Sequence, residues 1–292
     1  MNSVDDRNIA AVVVTFNRLE LLKEVVKGLR EQTVSADKII VVNNGSSDGT
    51  KEWLSEQNDL FVIEQANTGS SGGQYAGIKT AYEMGFDWIW TMDDDVVHEK
   101  NCLENLLENI SENRIHAPLR YDVSGLPYYN DVKKFNLANP FRSLWQGVFK
   151  PEDITMQYIP AEGITFEGPL FHRSLIEQTG FPDKNFFIFA DDTEFFIRAK
   201  KSKYNIFIVR DAKSNRKLPG VELTEKFSWK HYYIIRNIIA IDVMYGNLAV
   251  RILRPFGYFV KWILRCHGLK DIKVTIRAFR DGYFYKKLII DN

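Results

Sequence analysis

Histidine and cysteine are scarce in this chain, five and two among 292 residues. The two cysteines, Cys102 and Cys266, stand far apart without the paired spacing of a zinc site, and two thiols make no disulfide framework. No apolar run approaches the roughly 20 residues that a membrane-spanning helix needs. There is no Gly-Lys-Ser/Thr loop for a triphosphate and no serine, cysteine or histidine arrangement suited to nucleophilic catalysis. Neither an internal repeat nor a low-complexity tract is present. The N-terminus, Met1-Asn2-Ser3-Val4-Asp5-Asp6-Arg7, is acidic where a signal peptide is basic and then apolar. A reducing, cytoplasmic protein with no nucleic-acid partner is the expectation.

Net charge is also lacking, with 38 basic residues against 38 acidic, but the balance is uneven. Residues 226–292 hold 13 Lys/Arg and 4 Asp/Glu, so this tail carries +9 and the rest of the chain −9. A basic tail of this kind suits an anionic surface, either a membrane or the acidic face of another subunit. The composition, 45% hydrophobic and 13% aromatic, is ample for one large catalytic domain plus an appendage. The boundary is expected between 1–225 and 226–292.

Three consecutive carboxylates, Asp93-Asp94-Asp95, follow directly on an apolar run from Phe86 to Met92. Adjacent like charges repel, so a divalent cation is the expected partner, delivered to the rim of a sheet by the strand before it. The preceding chain alternates strand and helix. Ile9 to Thr15, Lys38 to Val42 and Leu60 to Glu64 read as buried strands. Helices are expected from Leu19 (Leu21, Leu22, Val25, Val26 and Leu29 on one stripe), around Trp53 and Leu54, and from about Gln74 to Met84. This is the order of an α/β doubly wound sheet, whose ligands bind beyond the carboxyl ends of the strands. Four polar loops fall at those ends: Thr15 to Arg18, Asn43 to Gly45, Asn67 to Gly73, and the Asp triplet.

Further on, Glu99 to Glu112 is expected as a helix, and Ala117 to Pro160 is irregular, with five prolines. An insertion of this kind shapes a substrate cleft, where Trp145 and Tyr158 either stack on a sugar or serve as core. Gly163 to Phe171 reads as a strand broken by Gly168 and Pro169, then a short helix from Arg173 to Thr179 closed by Gly180. An apolar stretch, Asn185 to Phe189, leads into Ala190-Asp191-Asp192-Thr193-Glu194. There Asp191 or Asp192 is a candidate helix cap, but one cap explains only one carboxylate. Asn205 to Val209 is another strand. Two acidic clusters about a hundred residues apart suit transfer of a group from a nucleotide diphosphate. A metal on Asp95 and Asp93 neutralises the leaving diphosphate, and a second carboxylate deprotonates the attacking hydroxyl.

Taken in order, these pieces resemble the family 2 glycosyltransferases of the GT-A fold over roughly residues 9–240. They are Val12-Val13-Val14-Thr15-Phe16-Asn17-Arg18, Val41-Val42-Asn43-Asn44-Gly45-Ser46-Ser47-Asp48-Gly49-Thr50, Asn67-Thr68-Gly69-Ser70-Ser71-Gly72-Gly73, Asp93-Asp94-Asp95, and Asp191-Asp192-Thr193-Glu194 with Arg198. The resemblance implies a Rossmann-like, mostly parallel sheet flanked by helices, with a C-terminal helical appendage. It implies that Thr15, Asn17, Arg18, Asn43 and Asn44 hold the nucleotide, that Asn67, Gly72 and Gly73 approach the donor, and that Asp93 and Asp94 bind donor. A Mn²⁺ or Mg²⁺ ion falls to Asp93 and Asp95. Asp192, with Asp191 second, is implied as the base of an inverting displacement. Together with Trp229-Lys230-His231-Tyr232-Tyr233-Ile234-Ile235-Arg236-Asn237, the triplet is similar to the branch that includes bacterial galactofuranosyl- and rhamnosyltransferases. The implied activity transfers a sugar from a UDP- or dTDP-sugar to a glycan, lipid-linked or glycoprotein acceptor of the bacterial surface. With a UDP-sugar donor favoured, a dTDP-rhamnose-dependent rhamnosyltransferase, a sugar nucleotidyltransferase and a non-catalytic glycan-binding module are the alternatives.

Two positions depart from the family pattern. Asn43 stands where many relatives have Asp. Arg216 stands near a common metal-binding His, so that either Arg216 shares in neutralising the diphosphate or the metal is held weakly. His231 is expected to pack rather than bind. In the tail, Leu248 to Cys266 is helical by pattern, with a kink or a new helix at Pro255, and Ile272 to Leu288 repeats the basic, aromatic character. The tail either lies on the inner face of a membrane or packs on the catalytic domain or a second subunit.

Overall fold

The computed structural model describes residues 8–128, 131–219 and 227–285. The acidic N-terminal heptad, the expected 225/226 boundary and the end of the second basic stretch of the tail lie outside the described residues. The chain opens with β1 (Ile9–Thr15), α1 (Leu19–Arg30), β2 (Lys38–Asn43), α2 (Thr50–Ser55), β3 (Leu60–Glu64), α3 (Gly69–Glu83) and β4 (Trp88–Asp93). Every residue of β1 is buried, as its unbroken β-branched run requires. Alternate side chains of β1 serve opposite faces. Ala10 and Val12 pack with Ile78 and Ala81 of α3, while Ala11 and Val13 pack with Leu22, Val25, Val26 and Leu29 of α1. β3, β2, β1 and β4 are all parallel neighbours in that order, so their carboxyl ends share one rim.

Next come β5 (Val96–His98), α4 (Cys102–Leu107), β6 (Arg114–Tyr121), β7 (Val132–Phe135), β8 (Trp145–Val148), β9 (Tyr158–Ala161), β10 (Leu170–His172), α5 (Ser174–Thr179), α6 (Asp191–Lys201) and β11 (Asn205–Arg216). The sheet continues β4-β10-β6-β11-β5, with β9 also on β11. In this half only β6 and β11 pair in parallel; β10, β5 and β9 run antiparallel to their partners. The α/β class is the expected one, and its parallel character belongs to the first four strands.

Several expected elements are redrawn. The Glu99–Glu112 helix is only Cys102–Leu107, with Asn109 at a left-handed φ of 52° just after it. The Gly163–Phe171 strand shrinks to Leu170–His172, because Gly168 takes φ 106° and Pro169 has no N–H to give. α3 starts at Gly69, five residues earlier than its apolar pattern suggests. The region from Ala117 to Pro160, without readable period, holds most of β6 and the hairpin of β7 and β8.

The tail forms α7 (Lys230–Tyr245), α8 (Leu248–Ile263) and α9 (Leu269–Tyr283), and no new helix begins at Pro255. Ile234, Ile235, Ile238 and Ile239 of α7 share a core with Trp262 and Ala278. Ala240 and Ile241, on the other side of α7, belong to the core of the sheet.

Candidate active site

The two acidic clusters meet in one cleft of about 560 Å³. Asp93 lines it from the end of β4, and Asp191 and Asp192 line it from the start of α6. The parallel half of the sheet supplies the first cluster, and the insertion adds Tyr128 and Trp145 to the lining, with Glu167 just after it.

The triplet divides its work. Asp94 is turned back into the protein, where Oδ2 accepts from Thr15 Oγ1 at 2.7 Å and from the Phe16 amide at 3.3 Å. Arg18 Nη1 bridges Asp94 Oδ1 at 2.9 Å and Asp95 Oδ2 at 3.0 Å. Asp93 instead faces the cleft, its Oδ1 3.2 Å from Gln74 Nε2. Burial pushes the Asp93 carboxyl well above its ordinary range, and the charges of Asp95, Glu167, Asp94 and Asp191 push it further. Asp94 and Asp95 are raised by burial and held back by Arg18. A cation beside Asp93 and Asp95 relieves this crowding. Hard divalent ions are held by one or two carboxylates when phosphate and water oxygens complete the shell, so the pair fits such an ion. Among the described residues no group of three Asp, Glu, His or Cys side chains is placed to hold a metal by itself.

The remaining rim residues fasten the loops to one another. Asn17, at φ 53°, donates its amide to Ser46 Oγ at 2.9 Å and accepts from the Ser47 amide at 2.7 Å. Asn43 donates to both carboxylate oxygens of Glu64, at 3.1 and 3.0 Å, and accepts from the Ser46 amide. Asn44 accepts from the Thr68 amide and donates to the Gly69 carbonyl, while Asn67 accepts from the Gly69 amide. Gly72 and Gly73 lie in α3 and are buried; a Cβ on them would meet Thr68 Oγ1 at 2.2 Å and Val14 Cγ1 at 2.3 Å. The bare Cα of Gly73 lets α3 lie against β1 and that of Gly72 makes room for Thr68, and the cleft residue of this loop is Ser70.

Ahead of α6 the apolar stretch is neither strand nor plain helix. Phe187, Phe189 and Ala190 all have left-handed φ, at 65°, 73° and 62°. Such conformations cost about 1 kcal/mol or more each in a residue with a side chain, and they persist only where surrounding structure holds them. α7 holds them here. Asn237 Nδ2 faces the carbonyls of Phe186, Ile188 and Phe189 at 3.0, 3.0 and 2.7 Å, and Arg236 Nη2 donates to those of Asn185 and Phe186. Neither aspartate caps α6, whose cap position is Ala190. Asp191 is buried with Oδ2 unpartnered, and burial beside Asp192 raises it to about 8. Asp192 is half-buried and accepts from the Thr193 amide; burial first, and then the charge of Glu167, raise it to about 6. Arg198 is a buried brace, bonded to Glu194 and to the carbonyls of Gly180 and Phe181.

Arg216 reaches the cleft, stacked over Tyr128 with its guanidinium carbon 4.3 Å from the ring centre and Nε 3.5 Å from Glu167. Glu167 also pairs with Arg120, which is buried and bonded to Asp131 at 2.7 Å. Of the aromatic candidates, Trp145 lines the cleft with Nε1 3.3 Å from Thr193 Oγ1, whereas Tyr158 turns away to Asn109 and Glu108. His231 stacks on Phe227 and meets Trp262 edge-on, inside the helical tail. Gln74, Arg120, Tyr128, Asp131 and Glu167 were not foreseen. Gln74 directly follows the glycine loop, Arg120, Tyr128 and Asp131 come from the stretch with no readable period, and Glu167 from the expected Gly163–Phe171 strand.

Residues 10–180 match the model of the family described as Glycosyl transferase family 2. Galactofuranosyltransferase GlfT1 of Mycolicibacterium smegmatis is 27% identical over 203 residues, covering 66% of this chain and 66% of that protein, just under two thirds of its length. Among solved structures, GalNAc-T7 with UDP, GalNAc and Mn²⁺ superposes with a TM-score of 0.68 at 12% identity, covering 96% of this chain and 56% of that one. S. aureus TarS 1-349 in complex with UDP gives 0.57 at 15% identity, covering 93% and 80%. These likenesses show a GT-A fold. The family match spans more than half of the sequence, and the chain belongs to glycosyl transferase family 2.

Proposed function

We propose that this protein transfers a sugar from a nucleoside diphosphate donor, UDP-sugar in first place, to a hydroxyl of a bacterial surface glycan, lipid-linked or glycoprotein acceptor, with inversion. The observation that carries the reading is the shared cleft, in which Asp93 faces Asp191 and Asp192 across one space of about 560 Å³. The GlfT1 relative and the UDP-bound neighbours support the donor class. The Thr15 to Arg18 turn and Asp94 form the nucleotide end, with Asn17, Asn43, Asn44 and Asn67 setting its loops, Gly73 letting α3 lie on β1 and Gly72 leaving room for Thr68. Asp93 and Asp95 hold Mn²⁺ or Mg²⁺, which when bound neutralises the diphosphate oxygens. Arg216 adds fixed positive charge beside them.

Asp192 takes the proton of the acceptor hydroxyl as its oxygen bonds to the anomeric carbon, and the bond from that carbon to the diphosphate oxygen breaks. Burial raises both carboxyls, Asp191 further than Asp192, so Asp192 is the one of the pair that gives up its proton first and can serve as the base. The test is nucleoside diphosphate release from a panel of UDP- and dTDP-sugars, with Mn²⁺, Mg²⁺ or chelator. Asp192→Asn is expected to lower turnover by about a thousandfold or more with little change in donor affinity. Turnover within tenfold of wild type removes Asp192 as the base, and full activity in chelator removes the metal.

A further inference from the structure

The side of α8 turned away from the protein is apolar from end to end. Its buried positions are Val250, Arg254, Pro255 and Trp262. The opposite side shows Leu248, Ile252, Leu253, Phe256, Val260 and, just past the end, Leu264, each between 44 and 80% exposed. A surface helix ordinarily turns polar residues outward, and an outward apolar stripe marks a surface that meets something apolar. No Asp or Glu occurs from Leu248 to Lys270.

Positive charge borders this stripe. Lys261 and Arg265 are exposed at the end of α8, and Lys270, Lys273, Arg277 and Arg280 are exposed on α9. Phe256 and Phe259 pack on Phe279 of α9 with ring centres 5.3 and 4.8 Å apart, so the two faces adjoin. Exposed Leu269 and Ile276 stand among the cations of α9. Of those six, only Arg277 and Arg280 have a carboxylate partner among the described residues, and it is the same one, Asp281.

We propose that α8 and α9 seat this protein on an anionic lipid bilayer, with the α8 stripe in the interface and the lysines and arginines on the headgroups. No helix among the described residues is long and apolar enough to cross a membrane. A 16-residue amphipathic helix is of the kind that lies in the interfacial plane. A second copy is a poorer occupant. A symmetric dimer sets the patch against itself and brings its cations together. An anionic bilayer supplies apolar depth and negative charge in one plane.

The test is co-sedimentation of the full chain with phosphatidylcholine vesicles, alone or with about 30% phosphatidylglycerol, a strongly anionic surface. Wild type is expected to sediment with the anionic vesicles only, and less at high salt. Ile252→Glu with Val260→Glu, and separately Lys270→Glu with Lys273→Glu, are each expected to cut partitioning at least about tenfold. These side chains are exposed, so circular dichroism and nucleoside diphosphate release in solution are expected to stay unchanged. If a variant loses helical signal, Lys270→Gln with Lys273→Gln takes its place. Wild type that stays in the supernatant with anionic vesicles overturns the proposal, as does equal sedimentation of all variants. A concentration-dependent dimer that Ile252→Glu dissolves, without vesicle binding, assigns the face to a second copy and also overturns it.

Discussion

Asp192 is perturbed by two distinct causes, and they make it testable without a substrate structure. Burial raises its pKa first, and the Glu167 carboxylate raises it further, to about 6, against the pull of Arg120 and the Thr193 hydrogen bond. A general base works only when ionised, so the rate is present above this value and lost as pH falls through it. A kcat/KM profile, which reports the free enzyme, is expected to show an acidic limb near pH 6, falling about tenfold per unit below it. Glu167→Gln removes one negative neighbour, so the limb is expected to move to lower pH. A limb that stays in place under Glu167→Gln detaches it from Asp192. That a second acidic pair stands at the cleft was legible in the sequence. Glu167 was not, because its partners Arg120 and Arg216 come from other strands and no local spacing links the three.

At the scale of elements, α7 holds the segment that aims Asp192. Three left-handed non-glycine residues lie between Phe186 and Asp191, and the carbonyls of that turn point to Asn237 and Arg236. Asn237 is fully buried, so truncating it takes the side-chain donor from the Ile188 and Phe189 carbonyls, while that of Phe186 keeps Arg236 and the Ile188 amide. Asn237→Ala is expected to cost about 1–3 kcal/mol of stability by denaturant unfolding and to lower kcat more than tenfold. Donor KM is expected to hold, because the proposed nucleotide end is built by other loops. Equal loss in KM and kcat would mean general damage instead. The sequence shows why this element is hard to read. The run Asn185 to Phe189 reads only as apolar, and the donors that hold it as a turn sit on a helix about fifty residues further on. β1, β2 and β4 were legible because uniform burial demands uniform β-branched and apolar residues. β6 was masked by His116, Pro118 and Arg120, which look unlike a strand until their partners are known: Leu106 for the histidine, Asp131 and Glu167 for the arginine.

Over the whole molecule, the tail's charge was legible and its attachment was not. A count of lysines and arginines separates residues 226–292 from the rest, yet α7 enters the core of the sheet and α8 is fixed to the insertion through Arg254. Arg254 and Asp242 form a fork, Nε to Oδ2 at 2.8 Å and Nη2 to Oδ1 at 2.5 Å, and both are buried. The remaining guanidinium nitrogen donates to the carbonyl of Asn136 at 2.8 Å, in the loop between β7 and β8. One side chain thus joins α8, α7 and the wall of the cleft. Arg254→Leu leaves Asp242 buried without its cation, a loss of about 3–5 kcal/mol for a broken buried pair. Burial already raises the Asp242 carboxyl while Arg254 lowers it, so removing Arg254 raises it further. When a carboxyl is pushed above its unfolded value, the stability tied to its protonated form is present at low pH and lost as pH rises through the folded value. The Tm deficit of Arg254→Leu is therefore expected to be larger at pH 8 than at pH 5. Removing both charges, in Asp242→Leu with Arg254→Leu, is expected to recover much of the loss, because no lone ion is then left inside. A deficit equal at both pH values, or a double variant no better than the single, would assign the effect of Arg254 to its bonds with the insertion and not to the ion pair.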